Sequence, residues 1–436
     1  MINNIPICGY FTPNDPACIG ESDSISINNA VIAAEKSGVG KVVIPSFNAR
    51  TGACRWDIDS AVCLPSNMHI VLDNAYLRQT DGSMDNVFRS ANLTYAPVTP
   101  PDGELSNIRI SGIGNAVIDG GKPNGLTQGT SQRKGFPNIR ANNPILLANV
   151  DNFTVEGITI RNQRWWGMNL IYCTNGRISD MRFEADGSIL NQDGIDLRIG
   201  CQNIIIERIR GYAGDDLIAL SGFLGNDKVL VTEGKSLDIR HILIRDIVGT
   251  SVSKSVICLR NHDGVQIKDV TIDNVHDDSD LSDWKHPYSV VRVGQKYYFH
   301  DRRSLPGETS NIYISNIHAK VNHAVIVNVT MTESVISGVY CGKDVVCAVT
   351  TNVGEEVAAA AHIRQIVQGA YMRNTIIENI VCEPGRIADG ASERALLEFV
   401  NDEEELDGME NVTASNIFAS DRKIVDCAFE KGFTLK

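Results

Sequence analysis

The chain has 436 residues, 43% of them hydrophobic and 21% charged, and a formal net charge of −13. No apolar run reaches the ~18 residues that a bilayer-spanning helix needs, so no membrane association is expected. The acidic average also argues against a nucleic-acid partner, because phosphate binding needs a concentrated Lys/Arg surface.

The first twenty residues, "MINNIPICGYFTPNDPACIG", contain neither a basic stretch nor an apolar core of the kind a secretory leader requires. A cytoplasmic protein is therefore expected. "DSISINNAVIAAEKSG", residues 23 to 38, places Ile25, Ile27, Ala30, Val31 and Ala34 at helical spacing and stops at Gly38, and "KVVIP" follows as a first strand.

From residue 107 a phrase recurs: Asn, apolar, any, apolar, any, Asn/Asp/Gly, apolar. It reads "NIRISGI" at 107, "NFTVEGI" at 152, "NGRISDM" at 175, "NIIIERI" at 203 and "HILIRDI" at 241. It continues as "GVQIKDV" at 264, "NIYISNI" at 311, "NTIIENI" at 374 and "NVTASNI" at 411. The shortest interval between starts is 23 residues. Each copy alternates like a half-buried strand but is too short to bury its own face, so the copies must stack. Coils of this length predict an all-β, single-domain parallel β-helix over residues 1–436. Residues 1–45 form the amino-terminal cap and first coil, and residues 107–420 form the repetitive coils. The recurrent Asn and Gly suit tight corners with left-handed residues. A sandwich or propeller fits the repeat less well. "GEEVAAAAHIRQIVQGA" from 354 reads as a helix or long loop inserted between coils. Eleven cysteines stand at irregular spacings, and Cys173, Cys258 and Cys382 fall in apolar strand patterns. They read as buried small hydrophobes, with neither a disulfide framework nor a bound metal expected, which suits a reducing compartment.

The stretch "NQDGIDLRIGCQNIIIERIRGYAGDDLIAL", residues 191 to 220, holds Asp193, Asp196, Asp215 and Asp216 among strand formers. Asp193 and Asp216 are one coil apart, so stacking would bring them to the strand spacing of about 4.8 Å, with Asp215 alongside. Carboxylates that close push their pKa values apart, which lets one act as an acid while another stays an anion. Asp196 reads as solvent-facing. The same cluster could also ligate Ca²⁺.

"NQDGID" followed by "GDDLIAL" resembles glycoside hydrolase family 28, the polygalacturonase-like hydrolases, whose pattern is Asn-Thr-Asp-Gly-Ile-Asp and then Gly-Asp-Asp-Cys. The resemblance is strongest over residues 150–222. It implies a right-handed parallel β-helix that needs no cofactor and inverts the anomeric centre. Asp215 would be the general acid, and Asp193 and Asp216 would activate water. The family's Gly-His-Gly is missing, and Lys254 falls near the absent histidine. His262 in "RNHDG" is the nearest downstream histidine and reads as a turn residue. The family's Arg-Ile-Lys becomes "RVG" in this sequence, with Arg292 retained and Gly294 in place of the lysine, while Lys296 follows two residues on. Substrate-binding candidates are Arg292, Lys254, Asn191, Trp166, Lys296 and His262. Trp165 and Trp166 read either as a sugar-stacking platform or as packing, and Tyr297, Tyr298 and His300 as possible subsite residues.

The expected partner is an oligosaccharide, and pectic fragments attacked from one end are favoured by the insertions "KVLVTEGKSLD" and "DDSDLSDWKHPY", which could wall off a groove. Two alternatives stay open. One is a Ca²⁺-assisted lyase using Arg260 or Lys254 as base, and the other is a non-catalytic glycan-binding or fibre β-helix.

Overall fold

The computed structural model describes residues 9–436 apart from 94–99, 186, 253, 281–285, 295–301, 353–369, 385–393, 402–406 and 420–421. Among the described residues strand follows strand after a single α-helix, and neighbours with a described register run parallel. The fold is a right-handed parallel β-helix, as the repeat predicts. By packing, the chain forms two compact units. The first comprises residues 1–196, 200–205 and 229–235, and the second residues 197–199, 206–228 and 236–436. The long insertion from 354 lies outside the described residues.

Both units are built on the same local rule. The first residue of each in-phase copy of the phrase has a positive φ, as at Asn107 (58°), Asn152 (54°) and Asn311 (56°). The sixth residue repeats it, as at Asp180 (56°), Asp246 (57°) and Asn316 (54°), or is a glycine such as Gly157 (71°). Left-handed backbone is disfavoured for most L-residues, and Asn tolerates it because its short amide can bond locally. The amides also bond from coil to coil. In the first unit Asn107 Nδ2 donates to Asn67 Oδ1 at 2.7 Å, and Asn152 Nδ2 donates to Asn107 Oδ1 at 2.6 Å. In the second, Asn311 Nδ2 donates to Asp269 Oδ1 (3.0 Å) and Asn411 Nδ2 to Asn374 Oδ1 (2.9 Å).

Two readings of the repeat need correction. Ile242 pairs with Val270, so His241 falls in step with Asp269 (φ 56°) and the copy there is "DVTIDNV", five residues beyond the phrase at 264. A further coil begins at Glu333 (φ 50°), where a glutamate takes the place of Asn and accepts from Asn374 Nδ2 at 3.2 Å.

Between the corners, alternate residues point inward and align in register. Ile70, Ile110, Val155 and Ile178 form one such ladder in the first unit. Ile244, Ile272, Ile314, Ile336, Ile377 and Ala414 form another in the second. All are at most 1% exposed. Each side chain stacks on its own kind, and burying one contributes roughly 1.5–3 kcal/mol.

The helix spans Asp23–Ser37, starting at a Ser22 cap whose Oγ accepts from Ile25 N and ending at Gly38 in the left-handed conformation (φ 75°). Ile27, Ala30, Val31 and Ala34 are buried, whereas Ile25 is 41% exposed, one position off the packed face. Asp23, at 1% exposure, receives Asn48 Nδ2 (2.8 Å), Arg50 Nε (2.8 Å) and Asp57 N (2.7 Å), which ties the helix to the first coil. The insertion after residue 228 lies along the first unit. Lys235 Nζ bonds Glu104 Oε2 (2.9 Å) and Asn149 Oδ1 (2.5 Å).

Ile272→Ala is expected to cost about 2–5 kcal/mol in denaturant unfolding, the range for buried large-to-small changes. Asn311→Ala should cost about 1–2 kcal/mol and Asn311→Gly clearly less, because glycine restores the backbone freedom but not the amide bond. Equal losses for the two Asn311 variants would refute the conformational account.

Candidate active site

Asp193 and Asp216 hold equivalent local positions, each two residues ahead of a strand: Ile195–Leu197 for the first and Ile218–Gly222 for the second. Asp193 is 2% exposed, and its carbonyl accepts from Gly167 N (2.9 Å) and from Gln163 Nε2 (3.1 Å). A side chain at Gly167 would lie 2.8 Å from Gly194 O, so glycine there permits the close backbone approach that seats Asp193.

Asp215 and Asp216 occupy the bend between the strands Arg210–Ala213 and Ile218–Gly222. The bend turns them differently, with Asp216 4% exposed and Asp215 half-buried. Asp216 Oδ1 accepts from Ser255 N at 2.9 Å. Ser251 Oγ donates to the Asp215 carbonyl at 2.6 Å. Within the second unit, Asp215 and Asp216 each offer a carboxylate oxygen, the two lying within 4.8 Å of one another. Two carboxylate oxygens that close also have the chemistry to contribute to a hard divalent cation site.

Burial raises the Asp215 carboxyl from its ordinary 3.8 to about 6, and the neighbouring Asp216 carboxylate pushes the same way. Lys254, Arg260 and Arg292 oppose this by Coulomb attraction. The site therefore pairs one carboxyl poised near neutrality with several fixed cations.

Arg292 lies in the strand Ser289–Val293, in register with Cys258. It is 3% exposed, and its Nε and Nη2 have no hydrogen-bond partner among the described residues. Lys254 is exposed, and its backbone N donates to Ser251 Oγ at 2.8 Å. His262 follows the strand Ser255–Asn261 at 0% exposure, with its ring 6.4 Å from that of Phe223. Its carbonyl accepts from Val265 N, closing a turn. Asn191 has φ 59° and lines a pocket of about 470 Å³ with Leu126, Trp165 and Leu190.

Trp165, 4% exposed, packs with Leu126, Ile139 and Ala141, and Trp166 lies against the same cluster. The two rings are 5.7 Å apart and tilted by 35°, so Trp165 is a core residue. Lys296, Tyr297, Tyr298 and His300 lie outside the described residues. Asp196 is 0% exposed, which corrects the solvent-facing reading: all three residues of the strand Ile195–Leu197 point into packed surroundings.

Sequence reasoning passed over Arg198 and Phe223. The Arg198 guanidinium sits 4.5 Å from the centroid of the Phe223 ring, and that of Arg260 5.0 Å from it. Arg260 also donates to Ser221 Oγ at 3.2 Å. Only the pairing of Ser221 with Arg260 in neighbouring coils brings this group together, and no local spacing announces it.

The fold defines a parallel β-helix protein. Residues 63–236 match the model of glycosyl hydrolases family 28, and the chain is similar to the polygalacturonase-like members of that family. An exopolygalacturonase of Arabidopsis thaliana is 25% identical over 272 residues, 55% of this chain and 57% of its own length. An exopolygalacturonase of Zea mays is 30% identical over 128 residues, 29% of this chain and 30% of its own. The chain thus spans little more than half of one relative and under a third of the other. Among solved structures, the A-module of an Azotobacter vinelandii mannuronan C-5 epimerase superposes with a TM-score of 0.53 at 13% identity, covering 98% of this chain and 99% of the module. That likeness is one of fold.

A carboxyl whose folded-state pKa lies above its unfolded value binds its proton more tightly in the fold. Its stabilising effect is complete below pH 3.8 and is lost as pH rises through about 6. Asp215→Asn removes the buried charge, so at pH 7 it should stabilise the protein by about 1–2 kcal/mol, a figure discounted for partial solvent contact, and it should have little effect at pH 3.5. Urea unfolding at both pH values checks this, and destabilisation at pH 7 would contradict it.

Proposed function

We propose that the chain is a glycoside hydrolase acting on O-glycosidic bonds of pectic, uronic-acid-containing oligosaccharides. Asp215 donates a proton to the leaving oxygen. Asp193 and Asp216 hold and deprotonate the attacking water, and the anomeric centre inverts. The reading is carried by one observation: the carboxylates of Asp215 and Asp216 are crowded together, and Asp215 is lifted to about 6. A general acid needs a pKa near the working pH, and a water-activating base must stay ionised beside it.

The buried Arg292 guanidinium, with two N–H-bearing nitrogens unpartnered among the described residues, supports recognition of a substrate carboxylate. A planar guanidinium binds carboxylates through paired hydrogen bonds, and an unsatisfied buried donor favours any ligand that supplies the acceptor. Lys254 adds a second cation where the family resemblance places a histidine. Attack from a chain end is supported by the names of the two plant relatives and by the insertion fastened through Lys235.

A second reading, retention through a covalent glycosyl–enzyme, has one observation in its favour. In two-carboxylate hydrolysis, inversion goes with a separation of about 6.5–9.5 Å and retention with about 5–5.5 Å. Oxygens of Asp215 and Asp216 come within 4.8 Å of one another, nearer the shorter distance. Under inversion the water must sit to one side of the cluster, gripped by Asp193 and Asp216 together.

Asp215→Asn should lower kcat on pectic oligosaccharides by about 10²–10⁴-fold, as loss of a proton-transfer group does. Arg292→Lys should raise KM for uronic oligomers more than it lowers kcat. Proton NMR of the first-formed reducing sugar should show the inverted anomer; the retained one would select the second reading. An unsaturated, ultraviolet-absorbing product would overturn hydrolysis altogether, and equal mid-chain cutting of long polymer would exclude end attack.

A further inference from the structure

Away from the aspartates, the second unit holds two thiols that its coil register places side by side. In the parallel pairing of the strand Val335–Thr350 with Tyr371–Cys382, Cys341 is the register partner of Cys382. Glu383 N donates to the Cys341 carbonyl at 2.9 Å, which fixes the alignment at the strand's end. Register partners in parallel strands point to the same face and stand about 4.8 Å apart at Cα, within the ~4.4–6.8 Å that a disulfide spans. The thiols are hydrogen-bonded to each other, and both residues are free cysteines, 2% and 7% exposed.

A cation is fixed on one of them. Arg422 Nη1 donates to Cys382 Sγ at 3.7 Å and to the Val345 carbonyl at 2.7 Å, and its Nη2 donates to the Val346 carbonyl. The guanidinium is thereby clamped to two successive carbonyls of the neighbouring coil. The hydrogen bond from Cys341 lowers the Cys382 thiol to about 6, burial works against this, and Arg422 lowers it further, with Glu383 the opposing charge. The Cys341 thiol is pushed the other way, chiefly by the same hydrogen bond and by burial. Cys347 is the other titratable neighbour of Cys341. The fixed Arg422 cation thus favours the thiolate at Cys382 and leaves Cys341 the thiol, the pairing that thiol oxidation chemistry uses. Cys341 and Glu383 also line a pocket of about 580 Å³ with His318, Lys320, Tyr340 and Lys343, wide enough to admit a small oxidant.

We propose that Cys341 and Cys382 form a peroxide-sensitive modification site that closes reversibly into a disulfide between adjacent coils. The Cys382 thiolate attacks one oxygen of hydrogen peroxide, breaking the O–O bond; the departing hydroxide takes a proton and leaves as water. Cys382 is then a sulfenic acid. The Cys341 sulfur attacks that sulfur, an S–S bond forms, and the sulfenic oxygen leaves as a second water with the Cys341 proton. Two thiols lose two electrons and two protons, and one peroxide is reduced to two waters. A dithiol reductant reverses the step.

The test treats the reduced full-length protein with hydrogen peroxide at pH 7, alkylates the remaining thiols and maps disulfide-linked peptides by mass spectrometry. The expected result is a Cys341–Cys382 peptide that forms before the exposed Cys54 is consumed, disappears with dithiothreitol and accompanies a reversible rise in Tm. Cys341→Ser should accumulate a Cys382 sulfenic acid that dimedone traps. Arg422→Gln should slow disulfide formation roughly tenfold at pH 7 by returning the thiol towards its free value near 8.5. Preferential oxidation of Cys54 with both partners still alkylated would overturn the proposal, as would dimedone labelling of Cys341→Ser no greater than that of a Cys341→Ser/Cys382→Ser double variant.

Discussion

Each coil of this protein turns on residues held in left-handed backbone, and the rest of the molecule depends on those corners. A strand alone would run straight; a left-handed residue at either end of a four-residue stretch bends the chain back over the coil before it. Asn, Asp and Gly fill nearly all of these positions because other side chains clash with their own backbone there. The same Asn amides then bond to their counterparts one coil away, so one residue type sets both the bend and the stacking. Inward ladders such as Ile244 to Ile377 follow from that alignment, since a coil of different pitch would bring unlike side chains over one another.

Crowding of like charges at Asp215 and Asp216 is costly. At an effective dielectric of about 20, two unit charges 4 Å apart repel by about 4 kcal/mol. The protein lessens this in two ways. Asp215 keeps its proton to higher pH than an ordinary carboxyl, and Asp216 accepts a backbone N–H from Ser255. Lys254, Arg260 and Arg292 supply the opposing field in the second unit. Arg260 is itself held against the Phe223 ring, so its charge is positioned by an aromatic face as well as by the Ser221 hydroxyl.

The periodic phrase made the coil legible because alternation and the corner residue recur within seven positions. It failed where one of those signals changed. Glu333 occupies a corner that normally takes Asn, so its coil went unseen, and the "GVQIKDV" segment at 264 mimics the phrase while the true corner is Asp269. Asp193 and Asp216 were legible as equivalent positions, each two residues ahead of a strand, because their spacing repeats the 23-residue interval of the phrase. Arg198 and Phe223 were not, since their encounter with Arg260 depends on which residues of separate coils face each other. Asp196 was misplaced because a charge inside a short strand looks solvent-seeking until its neighbours' packing is known.

A stack of parallel strands ends in a row of unsatisfied N–H and C=O groups, and such an edge will template any strand that meets it, including one from another copy. The helix Asp23–Ser37 lies over that end, anchored by the buried Asp23 carboxylate, by Ser24 Oγ, which accepts from Asp59 N and Ser60 N, and by Asn28, which bonds Ala61 and Cys63. Asp23, Ser24 and Asn28 together thus hold a lid over an edge that would otherwise be open to a further strand. In a solenoid, the residues that guard an edge need share no position with those that do the chemistry.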